Sequence, residues 1–451
     1  MREGEGGEPL LGVLMIAVAA LATSRFSQRP ADPQAGRLST VFLLWGGAWW
    51  FGPAMSIAAG RLLFLAPARL GSEDARWTAL YALLVAASAA ACARLGPRLG
   101  WRKLHWLGAA SWGLLALFTF PILLLLYGMR TMPDPGIWLA WALLLAGSEV
   151  VLLRWAADGA PIKPLLLRAV HVVRTAGPWL AIWPTGAILI ARWLAGPDAA
   201  GNDYLQLTWT TGAAWGNYLP AWAMMLVLAW LVRRSLAGSW PTAPLAPWYR
   251  RSVIPCGVFL MLALAALWNL AHDGTMAPLP YLPLLNPLDL TTGFALLLYL
   301  DAARALRAER EEQESRQALY RRLRIGGLAA AWAWFNLVLL RSAAHYLGIR
   351  YQVDVLLASQ FVQAMLSLVW CASALVLMRY AARRAWRWAW CVGAVLIGIV
   401  VLKLFTFDLA NSGSLARVVS FVSVGLLMVL IGYFAPFPKK ETGASPAPQH
   451  A

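Results

Sequence analysis

Two acidic residues, Asp289 and Asp408, and one imidazole, His345, are the groups in this 451-residue chain best placed to exchange a proton with a bound molecule. Arg341 precedes His345 by four residues, which puts both on one face of a helix, and its guanidinium suits a phosphate. Other polar groups fall near them along the chain: Asn286, Asp354, then Gln360, Gln363 and Ser367 at i, i+3, i+7. Lys403, Asn411 and Arg417 flank Asp408, and His272 with Asp273 stand upstream. The implied chemistry is acid–base work by Asp289, Asp408 or His345 on a substrate held by Arg341, Asn286, Asp354, Gln360, Gln363, Asn411 and Arg417. A plainer reading stays open, in which Asn286 and Pro287 are the cap and first residue of a helix, Asn411 sits in a turn, and the rest snorkel. No GxSxG, HExxH or P-loop is present. The five His have no metal-ligand spacing, and Cys92, Cys256, Cys371 and Cys391 form no CxxC pair, so no metal or other cofactor is expected.

The elements that must hold these groups follow from composition. Of the chain, 60% is hydrophobic and 13% charged, whereas a soluble domain is about half apolar and a quarter charged. The apolar residues come in runs near the roughly 20 residues that cross a bilayer. Thirteen runs (12–14 allowing for uncertain ends) give an all-α polytopic transmembrane bundle in one membrane domain, residues 1–451. The first eight are Pro9–Thr23, Val41–Ala59, Trp77–Ala93, Leu104–Tyr127, Ile137–Leu153, Ala176–Leu194, Gly212–Val232 and Val253–Ala271. The last five are Leu288–Leu300, Ile325–Ala344, Val355–Arg379, Ala385–Phe407 and Leu415–Tyr433. The first and ninth are short, and the leader MREGEGGEP is too acidic for a secretory signal, so the first run reads as an uncleaved span.

Of the 38 Lys and Arg, 28 fall in alternate connections and the C-terminal tail. Short loops rich in these residues stay in the cytoplasm, which predicts the N-terminus outside and the C-terminus inside. The loop after the second span, with Arg61, Arg69 and Arg76, dissents and leaves the first two spans less securely oriented. Because the net charge of +17 is parcelled into short loops, it points to anionic lipid heads rather than nucleic acid. Trp45, Trp49, Trp50, Trp101, Trp106, Trp388 and Trp390 lie near span ends, as an aromatic belt does.

In this topology the polar residues of spans eight to thirteen collect at the outer boundary, where an outward-facing pocket built from helix ends is expected. On the inner side, Arg304–Arg324 mixes both charges at helical spacing and reads as a solvated helix continuing span nine. Pro161–Thr175, with Lys163, Arg168, His171 and Arg174 among apolar residues, reads as an interfacial helix on the inner leaflet. Glu149 is the one acid well inside a span, either functional or paired with Arg154 or a neighbouring loop cation. The acidic pair Glu73 and Asp74, in an outer loop, resembles the paired acids of membrane glycosyltransferases that use lipid-linked sugars.

The strings PLPYLPLLNPLDL from Pro278, FNLVLLRSAAHYLG from Phe335, SQFVQAMLSLVW from Ser359 and KLFTFDLANSGSLARVVSFVSVGLLMVLIGYFAPFP from Lys403 carry a resemblance. They resemble the C-terminal part of the bacterial predicted membrane proteins grouped as the domain-of-unknown-function 2339 family. The resemblance divides the chain into less distinctive spans at 1–277, a C-terminal bundle at 278–438, and a disordered cytoplasmic tail at 439–451. Members of that family are typically larger, so this chain would be a short member or the C-terminal portion of a divided one. Two adjacent histidines often follow the Arg of the second string, where this chain has Ala344 and His345.

The resemblance implies a bacterial inner membrane but no activity. Three functions are expected to compete: a transporter or flippase-like protein for an envelope lipid or polymer; a membrane-embedded transferase or hydrolase acting on a lipid-linked envelope substrate; and a structural subunit of an envelope complex. Pro-interrupted helices, as around Pro184, favour the first. The partners expected are membrane lipids, an envelope lipid or polymer as substrate, and a partner membrane protein.

Overall fold

The computed structural model describes residues 8–27, 33–63, 72–101, 104–129, 132–158, 163–195, 215–275, 280–307 and 313–403. Beyond them it describes helical positions 422, 425, 426, 429 and 433. The described elements are helices: α1 (Glu8–Phe26), α2 (Pro33–Leu63), α3 (Ser72–Arg98), α4 (Leu104–Gly108), α5 (Ala110–Leu124), α6 (Pro135–Asp158) and α7 (Pro164–Ala195). Then come α8 (Trp215–Leu236), α9 (Ile254–Ala271), α10 (Pro287–Arg307), α11 (Gln313–Leu347), α12 (Val353–Ala358), α13 (Gln360–Arg383) and α14 (Arg387–Lys403). Wider π-turns follow α5 at Leu125–Met129 and lead into α9 at Tyr249–Val253.

Among the described residues, 8 helical segments are long and apolar enough to cross a membrane. They coincide with expected spans three to eight, ten and eleven. Their large side chains face outward as readily as inward: Leu226 is 71% exposed, Phe259 74% and Leu368 73%. A helix that is apolar all round needs an apolar solvent. The remaining expected spans differ in degree. In α1 the apolar stretch Met15–Phe26 is shorter, α14 has 17 residues, and α10 carries Asp289, Asp301, Arg304 and Arg307 at its ends.

Two expectations change. Residues 164–175 are not a separate interfacial helix, and Pro184 does not interrupt its span: one 32-residue helix, α7, runs through Gly177, Pro178 and Pro184. A proline in a helix removes one backbone hydrogen bond, and apolar surroundings offer the freed groups no better partner than the helix itself. At about 1.5 Å per residue, α7 is roughly 48 Å long, well beyond the ~30 Å hydrocarbon layer. Its basic first turns therefore extend past the span proper. Of the charged stretch 304–324, Arg304–Arg307 belongs to α10 and Gln313–Arg324 to α11, while 308–312 lie outside the described residues.

The chain forms two compact units, Met1–Trp334 and Phe335–Ala451, with the boundary inside α11. In the first, α1 and α2 exchange buried hydroxyl bonds, Ser24 Oγ to the Ser39 carbonyl at 2.6 Å and Ser39 Oγ back to the Ser24 carbonyl at 2.8 Å. Helices α3 and α6 meet through small residues, Ala82, Ala86, Ala89 and Ala93 on one side and Gly147 and Ser148 on the other. A Cβ added at Gly147 would lie 2.8 Å from Ala86 Cβ and 2.9 Å from its Cα. Helix α5 supplies the centre of the largest apolar cluster, with Leu115, Phe118 and Ile122 against Trp141 of α6 and Ile188 of α7. A second cluster joins α7 to α10, where Trp179 Nε1 donates to the Met224 carbonyl at 2.9 Å. Gly186 gives room for the Pro220 ring, whose Cγ stands 2.5 Å from where a Cβ would be.

In the second unit, α13 and α14 form a hairpin around Ala385, which takes a left-handed φ of 54°. Expected span eleven is broken at Ser359, whose extended backbone separates α12 from α13 and serves as the N-cap of α13.

Packing through small residues predicts a contrast. Gly147→Leu should force α3 and α6 apart and destabilise the protein by about 2 kcal/mol or more. Gly113→Ala, on α5 with open space around it, should be neutral or gain up to about 1 kcal/mol. Denaturant unfolding of the purified protein in detergent measures both.

Candidate functional site

The expected outward-facing pocket begins at the head of α10. Asn286 caps that helix: its Oδ1 accepts from the Asp289 backbone N–H at 2.9 Å, and its Nδ2 donates to Asp289 Oδ2 at 2.5 Å. The same carboxylate oxygen accepts from the backbone N–H of Leu284 at 3.0 Å. Leu284 has a φ of 65°, a left-handed conformation rare for a branched side chain. Asp289 is fully buried and holds that turn closed. The Asn286–Pro287 cap foreseen in the sequence is thus present, with the acid built into it.

Helices α8 and α9 bring polar groups to the same end of α10. Tyr218 Oη and His272 Nδ1 are 2.6 Å apart, and Tyr218 lies edge-on to Trp268. Asn269 Nδ2 donates to Thr292 Oγ1 at 2.7 Å, and Trp222 Nε1 to Thr291 Oγ1 at 2.7 Å. Burial holds the His272 imidazole below its ordinary range, with the neighbouring Asp273 pulling the other way. Asp273 closes its own turn by accepting from Thr275 N at 2.9 Å. Two side chains here have no hydrogen-bond partner among the described residues: the indole N–H of Trp183, and both Nδ2 and Oδ1 of Asn217, which is fully buried in the first turn of α8. An unpartnered buried amide costs on the order of 1–3 kcal/mol unless something occupies it.

The other candidates lie in the second unit. Arg341, in α11, is fully buried, with His345 one turn on and partly buried. Asp354 and Gln360, in the first turns of α12 and α13, are exposed. Gln363 Nε2 donates across the Ser359 break to the Leu357 carbonyl at 2.8 Å. Lys403 Nζ reaches the Gln363 carbonyl and Ser367 Oγ, each at 2.7 Å, so α14 is tied to the polar stripe of α13. Asn336 Oδ1 accepts from Trp370 Nε1 at 2.7 Å. Asp408, Asn411 and Arg417 lie outside the described residues, as do Glu73 and Asp74 in their side chains. Among the described residues no group of three His, Cys, Asp or Glu could hold a metal ion.

A second polar cluster, in the first unit, was only half foreseen. Glu149 of α6 pairs with Arg174 of α7, its two oxygens 2.7 and 2.8 Å from Nη1, rather than with Arg154. Arg174 Nη2 donates to the Pro241 carbonyl at 2.5 Å, and its guanidinium carbon lies 4.6 Å from the centre of the Trp240 ring. One turn earlier, His171 Nδ1 is 3.0 Å from Tyr249 Oη, while its Nε2 is buried with no hydrogen-bond partner among the described residues. The sequence signal for this cluster was the spacing of His171, Arg174 and Thr175 on one face of α7. Their partners Trp240 and Tyr249 lie more than 60 residues away, as the 67-residue separation of Arg174 from Pro241 illustrates.

Comparison with known proteins adds one finding. The family described as predicted membrane protein (DUF2339) matches residues 8–438, nearly the whole chain and not only its C-terminal part. The chain belongs to that family. No curated protein and no solved structure matches it.

The ion pair of the second cluster can be weighed directly. The Arg174 side chain is 1% exposed and that of Glu149 33%, so removing the carboxylate strands a buried charge. Glu149→Ala should cost about 3 kcal/mol, whereas Arg154→Ala should stay within about 0.5 kcal/mol. Adding Arg174→Met to Glu149→Ala should recover part of the loss, and a double-mutant cycle on detergent-solubilised protein reads the coupling.

Proposed function

We propose that this member of the DUF2339 family is a transporter or flippase-like protein of a bacterial inner membrane that handles an envelope lipid or polymer. The reading keeps thirteen spans, with the N-terminus outside and the C-terminus inside. The alternation of basic connections supports that topology. The polar end of α8, α9 and α10 would then face outward and contact the substrate.

The observation that carries the reading is Asn217. At its end of α8 the described bonds between helices join neutral groups: Tyr218 with His272, Asn269 with Thr292, and Trp222 with Thr291. An amide with a free donor and a free acceptor beside neutral hydroxyl and imidazole groups suits hydroxyl or amide groups of a saccharide-like moiety. Helix breaks at Ser359 and the π-turns at Leu125–Met129 and Tyr249–Val253 add irregular backbone of the kind found where membrane helices line a path. The catalytic alternative, with Asp289 as general base, has less support because its Oδ2 already accepts two hydrogen bonds within the α10 cap.

Two experiments test the reading. With the four native cysteines replaced by serine, an impermeant maleimide should label Arg350→Cys in intact spheroplasts and Ala237→Cys only after permeabilisation. The reverse pattern would invert the topology. A deletion strain should accumulate a lipid-linked envelope precursor in lipidomic comparison, and Asn217→Leu, which fills the same space without polar atoms, should insert normally yet fail to clear it. Full complementation by Asn217→Leu would overturn the assignment of the site.

A further inference from the structure

Residues 237–248 join α8 to the π-turn, and Gly238 turns the chain back with a left-handed φ of 60°. The segment contains no acidic, basic or other titratable side chain. It is packed down rather than loose, with Thr242 and Ala246 buried. The described bonds that fasten it to α6 and α7 run through one ion pair. Arg174 of α7 donates to the Pro241 carbonyl, and its guanidinium lies over the Trp240 ring. The Trp240 indole N–H in turn donates to Glu149 of α6, the carboxylate that pairs with Arg174.

The two partners differ in access. The Glu149 side chain is 33% exposed and that of Arg174 1%, so a proton can reach the carboxylate while the guanidinium is sealed in. A guanidinium does not give up its own proton. Uptake of one proton by a Glu149 oxygen makes a neutral carboxyl, ends the charge pairing, and leaves Arg174 positive against a carbonyl and a ring face. A buried charge deprived of its counter-ion is strongly destabilising. Movement of Arg174 toward water relieves it, and that movement lets go of Pro241 and Trp240.

The other titratable groups on the packed elements do not bond the segment. His171, one turn before Arg174, reaches Tyr249 of the π-turn and stands 6.3 Å from the Trp240 ring between centroids. Arg154, Arg168 and Arg251 are exposed, and Arg250 donates to the Ser235 carbonyl. Against α6, α3 presents Ala82, Ala86, Ala89 and Ala93 beside the partly buried Cys92, and α5 presents apolar side chains. Asp301 and Arg304 belong to α10, which packs on the π-turn rather than on the pair. The Asp158 side chain and residues 159–162 and 308–312 lie outside the described residues.

We propose that Glu149 is a proton sensor: ionised, it holds the 237–248 connection against α6 and α7 through Arg174, and on taking up a proton it releases that connection. Release would open the end of α7 and α8 opposite Asn217. The inference goes beyond the transport reading, since it needs no substrate, and its failure would leave the assignment of Asn217 untouched.

Hydrogen–deuterium exchange of the full-length protein in neutral detergent tests it, at about pH 8 and about pH 5, with labelling times scaled to the chemical exchange rate at each pH. Peptides covering 237–248 should exchange about tenfold faster at the lower pH, while peptides within 219–232 of α8 keep their protection. Glu149→Gln, which imitates the protonated acid, should exchange fast at both values. His171→Gln should keep the wild-type response. Glu149→Gln combined with Arg174→Gln removes the buried charge together with the carboxylate; it should fold where the single variant does not, and its exchange should not depend on pH. Four outcomes would each overturn the inference: wild-type exchange of 237–248 that ignores pH, an equal loss of protection along α8, a response that persists in the double variant, or one that vanishes in His171→Gln.

Discussion

Hydrocarbon offers a peptide group or a charge nothing to bond to, and the architecture follows from that constraint. Backbone polar groups satisfy one another within helices. Side chains with polar atoms must find partners in neighbouring helices or lie at the ends. Ser24 and Ser39 answer it by exchanging bonds with each other's carbonyls, and Trp141 by donating to Thr119 at 2.9 Å. Arg174 answers it most expensively, drawing on a carboxylate, a carbonyl and an indole face at once. Where the constraint is met, the residue is part of the scaffold; at Asn217 and His171 Nε2 it is not met among the described residues.

The same constraint explains which parts of the fold were legible. A requirement for apolar runs leaves a strong mark on sequence, so the helical class and the positions of spans three to eight, ten and eleven could be read from composition and periodicity. Less legible was where a helix ends when its neighbours, not its own residues, decide. Gly177, Pro178 and Pro184 are breakers in water, yet α7 passes through all three. Ser359 is an ordinary residue inside an apolar run, yet the chain breaks there, and Gln363 bridges the break to the Leu357 carbonyl.

Site residues divide in the same way. Asn286 and Asp289 are three apart, and local spacing is enough to suggest the cap that they form. The stripe of Gln363 and Ser367 and its approach by Lys403 follow from helical periodicity and the order of spans. Glu149 announced itself as a buried acid, but its partner could not be chosen along the chain: Arg154 is closer in sequence, while Arg174 is the one that packing delivers. Asn217 and Tyr218 gave no signal: both fall inside the expected span Gly212–Val232, and Tyr218 meets His272 only where α9 folds beside α8.

The distribution of charge within the first unit separates two kinds of recognition. At the end formed by α8, α9 and α10, Asp289 holds Leu284 and Asn286, Asp273 accepts from Thr275 N, and the described bonds between helices join neutral groups. Neutral donors and acceptors discriminate by geometry, rejecting a ligand that leaves them unpaired. At the end where α7, α8 and the π-turn meet, Arg168, Arg234 and Arg251 are exposed, Arg234 lies over the Trp230 ring, and Arg250 donates to the Ser235 carbonyl. Charges of one sign attract any anion and sort ligands chiefly by charge and by what the adjoining surface excludes. Asn217 on the first turn of α8 and Arg234 on its last set these two kinds of surface apart by the length of one long apolar helix.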